Sequence, residues 1–201
     1  MAEADEERRL IEAGQKGDVA AFNQLVQRYQ GRVYTVCYRM LGDPEGAADA
    51  AQDTFLSVFR SLHRFRGGSF RAWVLRIATN TCYDVLRARK RRPTTSLDAA
   101  LDSDEGGPYL NPPDPGEQPD DVALRHELGA AIQQSLAELP DDQRLVIILS
   151  DIQGLSYQEI ARITTANLGT VKSRLSRGRA RLRDILKEME LLPSRYRHHG
   201  E

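Results

Sequence analysis

The stretch Ser156–Leu186, SYQEIARITTANLGTVKSRLSRGRARLRDIL, decides how this chain is read. Ser156 and Glu159 have the spacing at which a serine accepts from a free backbone N–H while the glutamate reaches back to the cap, so a helix starts here. Ile160, Ala161 and Ile163 form its inner side. A short connection through Thr164 to Leu168 leads to a second, longer helix, on which Val171, Leu175, Leu182, Ile185 and Leu186 recur at three-to-four spacing. The rest of that helix is cationic: Lys172, Arg174, Arg177, Arg179, Arg181, Arg183 and Lys187 stand against one acid, Asp184. Two short-linked helices, the second presenting cations, are what a helix-turn-helix needs to enter a major groove. A merely solvated face mixes signs, and this one does not. A membrane-surface helix would carry exposed Trp or Phe on its apolar side, and none is present here.

The remainder of the chain keeps the same helical period. Phe22, Leu25, Val26, Tyr29, Val33, Val36, Cys37, Met40 and Leu41 mark one long helix, and Gly42-Asp43-Pro44 stops it. A second runs over residues 47–65 with Ala51, Phe55, Val58, Phe59 and Leu62 expected inward and Asp49, Gln52 and Asp53 outward. Gly67-Gly68-Ser69 breaks the pattern before a third helix, about 70–91, whose inward stripe is Phe70, Trp73, Val74, Ile77, Ala78, Thr81 and Val85. Trp73 therefore reads as core rather than as a platform for a stacked base. Further on, Leu124, Leu128, Ile132 and Leu136 mark a helix, Leu139-Pro140-Asp141 breaks it, and Val146, Ile147 and Leu149 mark another. The expectation is an all-α chain of two small helical domains, residues 18–92 and 122–190.

Residues 93–121 separate them. This stretch collects prolines and the acids Asp98, Asp102, Asp104, Glu105, Asp114, Glu117, Asp120 and Asp121 with few apolar side chains, which predicts a flexible acidic linker. A formal net charge of -1 thus conceals two cationic segments joined by an anionic strap. The start of the chain is charged and no run is long enough to span a bilayer, so a soluble, cytoplasmic protein is expected, with no membrane insertion. Cys37 and Cys82 lack metal-ligand spacing and read as reduced core residues. No Gly-rich phosphate loop, metal-ligand set or activated nucleophile suggests an enzyme, and neither a cofactor nor a metal is expected. His198 and His199 lie in a polar tail, residues 191–201, where metal affinity would be incidental.

The order of parts resembles a bacterial sigma factor of the extracytoplasmic-function group, which keeps only regions 2 and 4. DAAQDTF at Asp49–Phe55, FRGGSFRAWVLRIATNTCYDVLR at Phe65–Arg87, LPDDQRLVIIL at Leu139–Leu149, and LSYQEIA with GTVKSRLSRGRARLR at Leu155–Arg183 carry the resemblance. An unrelated helix-turn-helix protein would match only the last. The resemblance implies a non-enzymatic transcription initiation factor with three partners: core RNA polymerase through its β and β′ subunits, promoter DNA, and an anti-sigma factor. It implies core docking through Asp49, Gln52 and Asp53, with Phe55 in the core; Ala48 stands where the family often has a further acid.

It further implies capture of the −10 element by Arg66, Gly67, Gly68, Ser69, Arg76, Asn80, Asp84 and Arg87. Opening DNA costs a few kcal/mol per unstacked base, so an extruded base must be held. Gly67 and Gly68 permit close backbone approach, Ser69 can bond a base edge, and the Asn80 amide both donates and accepts. For the −35 element it implies Thr170, Lys172, Ser173, Arg174, Ser176 and Arg177 in the groove, with Arg179 and Arg181 nearer phosphate. The family usually has Gly where this chain has Thr165, and often Pro-Glu at Asn167-Leu168. A β-branched residue tolerates a left-handed turn poorly, so the turn is expected to be rebuilt, with Asn167 capping the second helix. The alternative is a stand-alone helix-turn-helix regulator, which would bind DNA tightly without polymerase and would leave the first domain unexplained.

Overall fold

Helix ends in this molecule are set by side chains close in sequence. The computed structural model describes residues 2–91 and 119–189, with backbone only for Ala2, Glu3 and residues 119–126. Helix α1 spans Ala2–Gln15, α2 Val19–Leu41, α3 Pro44–Ser61 and α4 Phe70–Arg91. These are followed by α5 Pro119–Ala137, α6 Asp141–Ile147, α7 Tyr157–Thr164 and α8 Leu168–Glu188. Asp18 caps α2 by accepting from the Ala21 amide, and Gly42 ends it in the left-handed region at φ 76°. Asp43 then caps α3 with Pro44 in its first turn, so one Gly-Asp-Pro triplet both closes a helix and opens the next. No strand occurs among the described residues. Contacts divide the chain into two units, α1 to α4 and α5 to α8.

In the first unit α2 packs against α1, α3 and α4, and α3 also packs against α4. Leu25, Val33, Val36 and Met40 of α2, Ala47, Ala50 and Val58 of α3, and Val74, Leu75 and Ala78 of α4 fill the core. Each large aliphatic side chain buried in this way contributes roughly 1.5–3 kcal/mol against exposure. Cys37 and Cys82 are both free and fully buried, and the Cys37 thiol is pushed up by its hydrogen bond with Cys82 and by burial, which keeps it protonated.

Two expectations about facing are corrected here. On α3 the buried set is Ala47, Ala50, Thr54 and Val58, while Phe59 is 46% exposed and Ala51 and Phe55 are half-buried. On α4 the buried set is Phe70, Val74, Leu75, Ala78, Thr79 and Cys82, leaving Trp73, Ile77, Thr81 and Val85 half-buried. In both helices threonine takes an interior place because its hydroxyl donates to the carbonyl four residues back, Thr54 to Ala50 and Thr79 to Leu75. Sequence patterning that counts only apolar side chains shifts the stripe as a result.

Helix α1 is the element that the periodicity did not mark. It buries Ile11 and is otherwise held by polar contacts: Glu6 pairs with Arg28 at 3.0 Å, Tyr29 donates to Glu7, and the Gln15 amide donates to the carbonyls of Leu62 and Phe65 at 3.1 and 2.9 Å. Burial, and then the Glu7 contact, raise the Tyr29 phenol above its ordinary range, so it remains a donor.

The second unit is organised by α8, which packs against α5, α6 and α7. Helix α6 passes into a wider π turn, Ile148–Ile152, and a Cβ built on Gly178 of α8 would lie 2.9 Å from Ile147 Cδ1 and 3.3 Å from Gln143 Cβ. Glycine at that point is what lets α6 approach α8. The capping box is present, with Glu159 accepting from the Ser156 amide and the Ser156 hydroxyl accepting from that of Glu159. Asn167 caps α8 by accepting from Thr170 N at 2.7 Å, as expected.

The turn between α7 and α8 is not rebuilt, however: Thr165 itself takes the left-handed conformation, φ 52° and ψ 37°. A non-glycine residue there costs about 1–2 kcal/mol, which exceeds the roughly 0.4–1 kcal/mol of extra unfolded-state freedom that glycine brings. Thr165 is exposed, so its side chain has little packing to lose. Thr165→Gly should therefore raise the thermal midpoint of the chain by a few degrees in a circular dichroism melt; a lower midpoint would show that the threonine side chain stabilises the turn. Residues 92–118 and 190–201, which hold most of the acidic linker and the polar tail, lie outside the described residues.

Candidate nucleic-acid interface

Three exposed surfaces gather the residues singled out in the sequence. On α3, Asp49, Gln52 and Asp53 are all exposed and stand on successive turns with Leu56, 45% exposed, and Phe59. Neither carboxylate makes an ion pair among the described residues. The face is a carboxylate and amide patch running into two apolar side chains. Leu56 was not singled out and Phe59 was expected inward, although Leu56 stands four residues from Gln52 and three from Asp53, and Phe59 three from Leu56, which was the available signal. Phe59 packs edge-on against Phe22 at 4.9 Å, which holds its ring in place on the surface.

The second surface joins the loop before α4 to one side of that helix. Gly67 and Gly68 both have positive φ, 99° and 88°, and open space where a Cβ would stand. Their backbone is thus reachable from outside. Phe65 and Trp73, both half-buried, pack at 5.3 Å from one another and lie 5.3 and 5.6 Å from buried Phe70, an aromatic base under the loop. Ser69 has a use the sequence did not reveal: its hydroxyl oxygen accepts from Ala72 N at 3.1 Å, which caps α4. Arg76, Asn80, Asp84 and Arg87 are exposed on successive turns of α4, and Asp84 pairs with Arg87 at 3.1 Å. Arg89, exposed on the same helix, donates to Leu41 O at 3.1 Å and to Asp43 at 2.6 Å and ties α4 to the α2–α3 turn.

The third surface is α8. Buried Val171, Leu175, Gly178 and Ile185 define its inner side, so Lys172, Ser173, Ser176 and Arg177 stand outward, with Arg181 and Arg183 exposed further along and Thr170 half-buried. Two arginines are engaged within the unit. Arg174 Nε lies 2.8 Å from Asp142 of α6, and Arg179 grips Asp151 through Nε at 3.0 Å and Nη2 at 2.5 Å. Burial pushes the Asp151 carboxyl up, but hydrogen bonds from Arg179 and Ser150 and the arginine charge outweigh it and hold the group below the usual carboxylate range. The hydrogen bond to Asp151 in turn raises Arg179 further.

Residues 25–92 match the family described as Sigma-70 region 2, and residues 129–182 match Sigma-70, region 4. The chain belongs to the extracytoplasmic-function sigma factors. It is 38% identical over 182 residues to the RNA polymerase sigma-H factor of Pseudomonas aeruginosa, covering 89% of this chain and 93% of the relative. With the sigma factor SigW of Bacillus subtilis it shares 39% identity over 184 residues, 90% of this chain and 97% of that one. Among solved structures, the sigma factor RpoE of Bartonella quintana, crystallised with the anti-sigma factor NepR, is similar with a TM-score of 0.66 and 26% identity, covering 84% of this chain and 98% of that one. This sigma factor directs promoter-specific transcription initiation as a non-enzymatic partner of RNA polymerase. Among the described residues no helix is long and apolar enough to cross a membrane, and no cluster of His, Cys, Asp or Glu could hold a metal ion.

Proposed function

We propose that residues 18–92 of this sigma factor dock core polymerase and capture the −10 element, that residues 122–190 read the −35 element, and that residues 93–121 link them. Asp49, Gln52 and Asp53, with Leu56 and Phe59, form the docking face for the β′ subunit. The open, positive-φ backbone at Gly67 and Gly68 above the Phe65–Phe70–Trp73 cluster supports a role in holding an extruded base. Asn80 supplies base-edge hydrogen bonds, Arg66 and Arg76 supply phosphate contacts, and Asp84 and Arg87 extend the same exposed side. On α8, Lys172, Ser173, Ser176 and Arg177 face the major groove, and Thr170, Arg174, Arg179 and Arg181 flank it. The protein works in the bacterial cytoplasm, and an anti-sigma factor of the kind seated on the Bartonella quintana relative covers its docking faces.

The observation that carries this reading is the outward row of Lys172, Ser173, Ser176 and Arg177 on a helix whose opposite side is buried. The test is transcription in vitro by core polymerase supplemented with this chain, with start sites mapped on fragmented bacterial genomic DNA. Starts sharing one upstream element near −35 and one near −10 are expected. Asn80→Ala should reduce open-complex formation, read by permanganate reactivity, about tenfold or more with core binding retained. Equal opening by the variant would remove Asn80 from the −10 site.

A further inference from the structure

Residues 141–152 lie across α8 as a yoke. Its middle touches α8 at Gly178, and each end carries an acid that meets an α8 arginine: Asp142 meets Arg174 at 2.8 Å, and Asp151 meets Arg179 through two bonds. The two arginines are on opposite flanks of the outward face. Arg174 is one turn from buried Val171 and Gly178 on one side, while Arg179 is one turn from buried Leu175 on the other. A helix lying in a major groove has a phosphate strand along each flank, so these positions are where cations would neutralise phosphate. In this structure aspartates already occupy them.

We infer that Asp142 and Asp151 act as an intramolecular brake on sequence-independent DNA binding, each competing with duplex phosphate for one flanking arginine of α8. The inference rests on the placement of α8 in the −35 groove. Sequence-independent affinity grows with the number of cations able to release counterions from DNA. Two of the cations on α8 are offset within the protein, while outward Lys172 and Arg177 make no ion pair among the described residues and remain to act at the base edges. Free sigma factor would accordingly be lost less readily to bulk DNA before it meets polymerase.

The test is fluorescence anisotropy of the full chain against a labelled duplex of arbitrary sequence, titrated between 0.05 and 0.3 M salt. Asp142→Asn and Asp151→Asn keep the side-chain shape and one acceptor oxygen but remove one negative charge each. Each should steepen the dependence of log affinity on log salt by about 0.9, which corresponds to about eightfold tighter binding at 0.1 M. Adding Arg179→Gln to Asp151→Asn should restore the wild-type slope, a reversal that a purely structural role would not produce. Unchanged or weaker binding by both single variants, with folding intact by circular dichroism, would overturn the inference. The underlying groove reading is tested separately by Lys172→Ala with Arg177→Ala: wild-type affinity in that variant would remove α8 from the DNA surface, whereas loss there with no response to the aspartate variants would defeat the brake alone.

Discussion

Replacing Arg144 by Met should lower the melting of the second unit by about 15 °C while leaving the first unit unaltered. Arg144 is 9% exposed, and its guanidinium donates to the carbonyls of Leu136 at 2.8 Å, Ala137 at 2.8 Å and Leu139 at 3.0 Å. These are the last groups of α5 and the residues just past it, where a helix has no amides of its own to offer. Leu136 O would keep the Leu139 amide, but the other two carbonyls would lose this donor inside the protein. Charge-assisted bonds of this kind contribute more than neutral ones, and a stranded carbonyl costs about 1–3 kcal/mol, so the total is about 3 kcal/mol. At roughly 5 °C per kcal/mol for a unit of this size, the shift follows. Trp73 is the only tryptophan and belongs to the first unit, so its fluorescence should report an unmoved transition while far-UV circular dichroism shows an earlier one. Arg144→Lys, which keeps the charge but not the fork, should fall between. If the Met variant melts with the wild type, the guanidinium does not hold α5 to α6.

Charge reversal at Asp49 and Asp53 should weaken binding to core polymerase at least a hundredfold with no change in folding. Both side chains are exposed on one side of α3 beside Gln52, Leu56 and Phe59, so lysine can replace them without disturbing the core. An unfavourable charge facing a charged partner costs several kcal/mol, and two reversals place that penalty at the centre of the patch. Competition for core polymerase against labelled wild type, read by anisotropy, measures the loss directly. Leu56→Ala should weaken binding in the same assay by about tenfold, since it truncates an apolar contact next to the charges. Retained affinity in the double reversal would move the docking face off α3 altogether.

How much of this was legible beforehand differs by surface. The outward placement of Asp49 and Asp53 and of the row Arg76, Asn80, Asp84 and Arg87 was recoverable because exposed residues at helical spacing stay together once the helix forms. Ser69 was read as a base contact, and the structure adds a second use, its hydroxyl oxygen accepting from Ala72 N, since a serine just before a helix meets an unpaired amide. Arg174 was read as facing the groove and Arg179 as nearer phosphate, and what the sequence did not show is that they pair with Asp142 and Asp151, residues whose proximity depends on how α6 crosses α8. Arg89, on the same helix as Asn80, braces the turn at Asp43, a contact that its neighbours in sequence do not reveal.

The sequence by itself determined the all-helical class, the two helical groups, most helix ends and the helix-turn-helix. All of these rest on interactions within a few residues: the Gly42-Asp43-Pro44 stop, the Ser156–Glu159 box, the Asn167 cap and the apolar period. Only the tertiary structure decided which side of α3 and α4 is buried, that α1 is held to its unit largely by polar side chains, and which arginines are neutralised. It also decided that Thr165 holds a left-handed turn that its β-branched side chain disfavours. Local hydrogen-bond chemistry is written in neighbouring residues, whereas burial and ion pairing are set by residues brought together from far along the chain, such as Asp151 and Arg179.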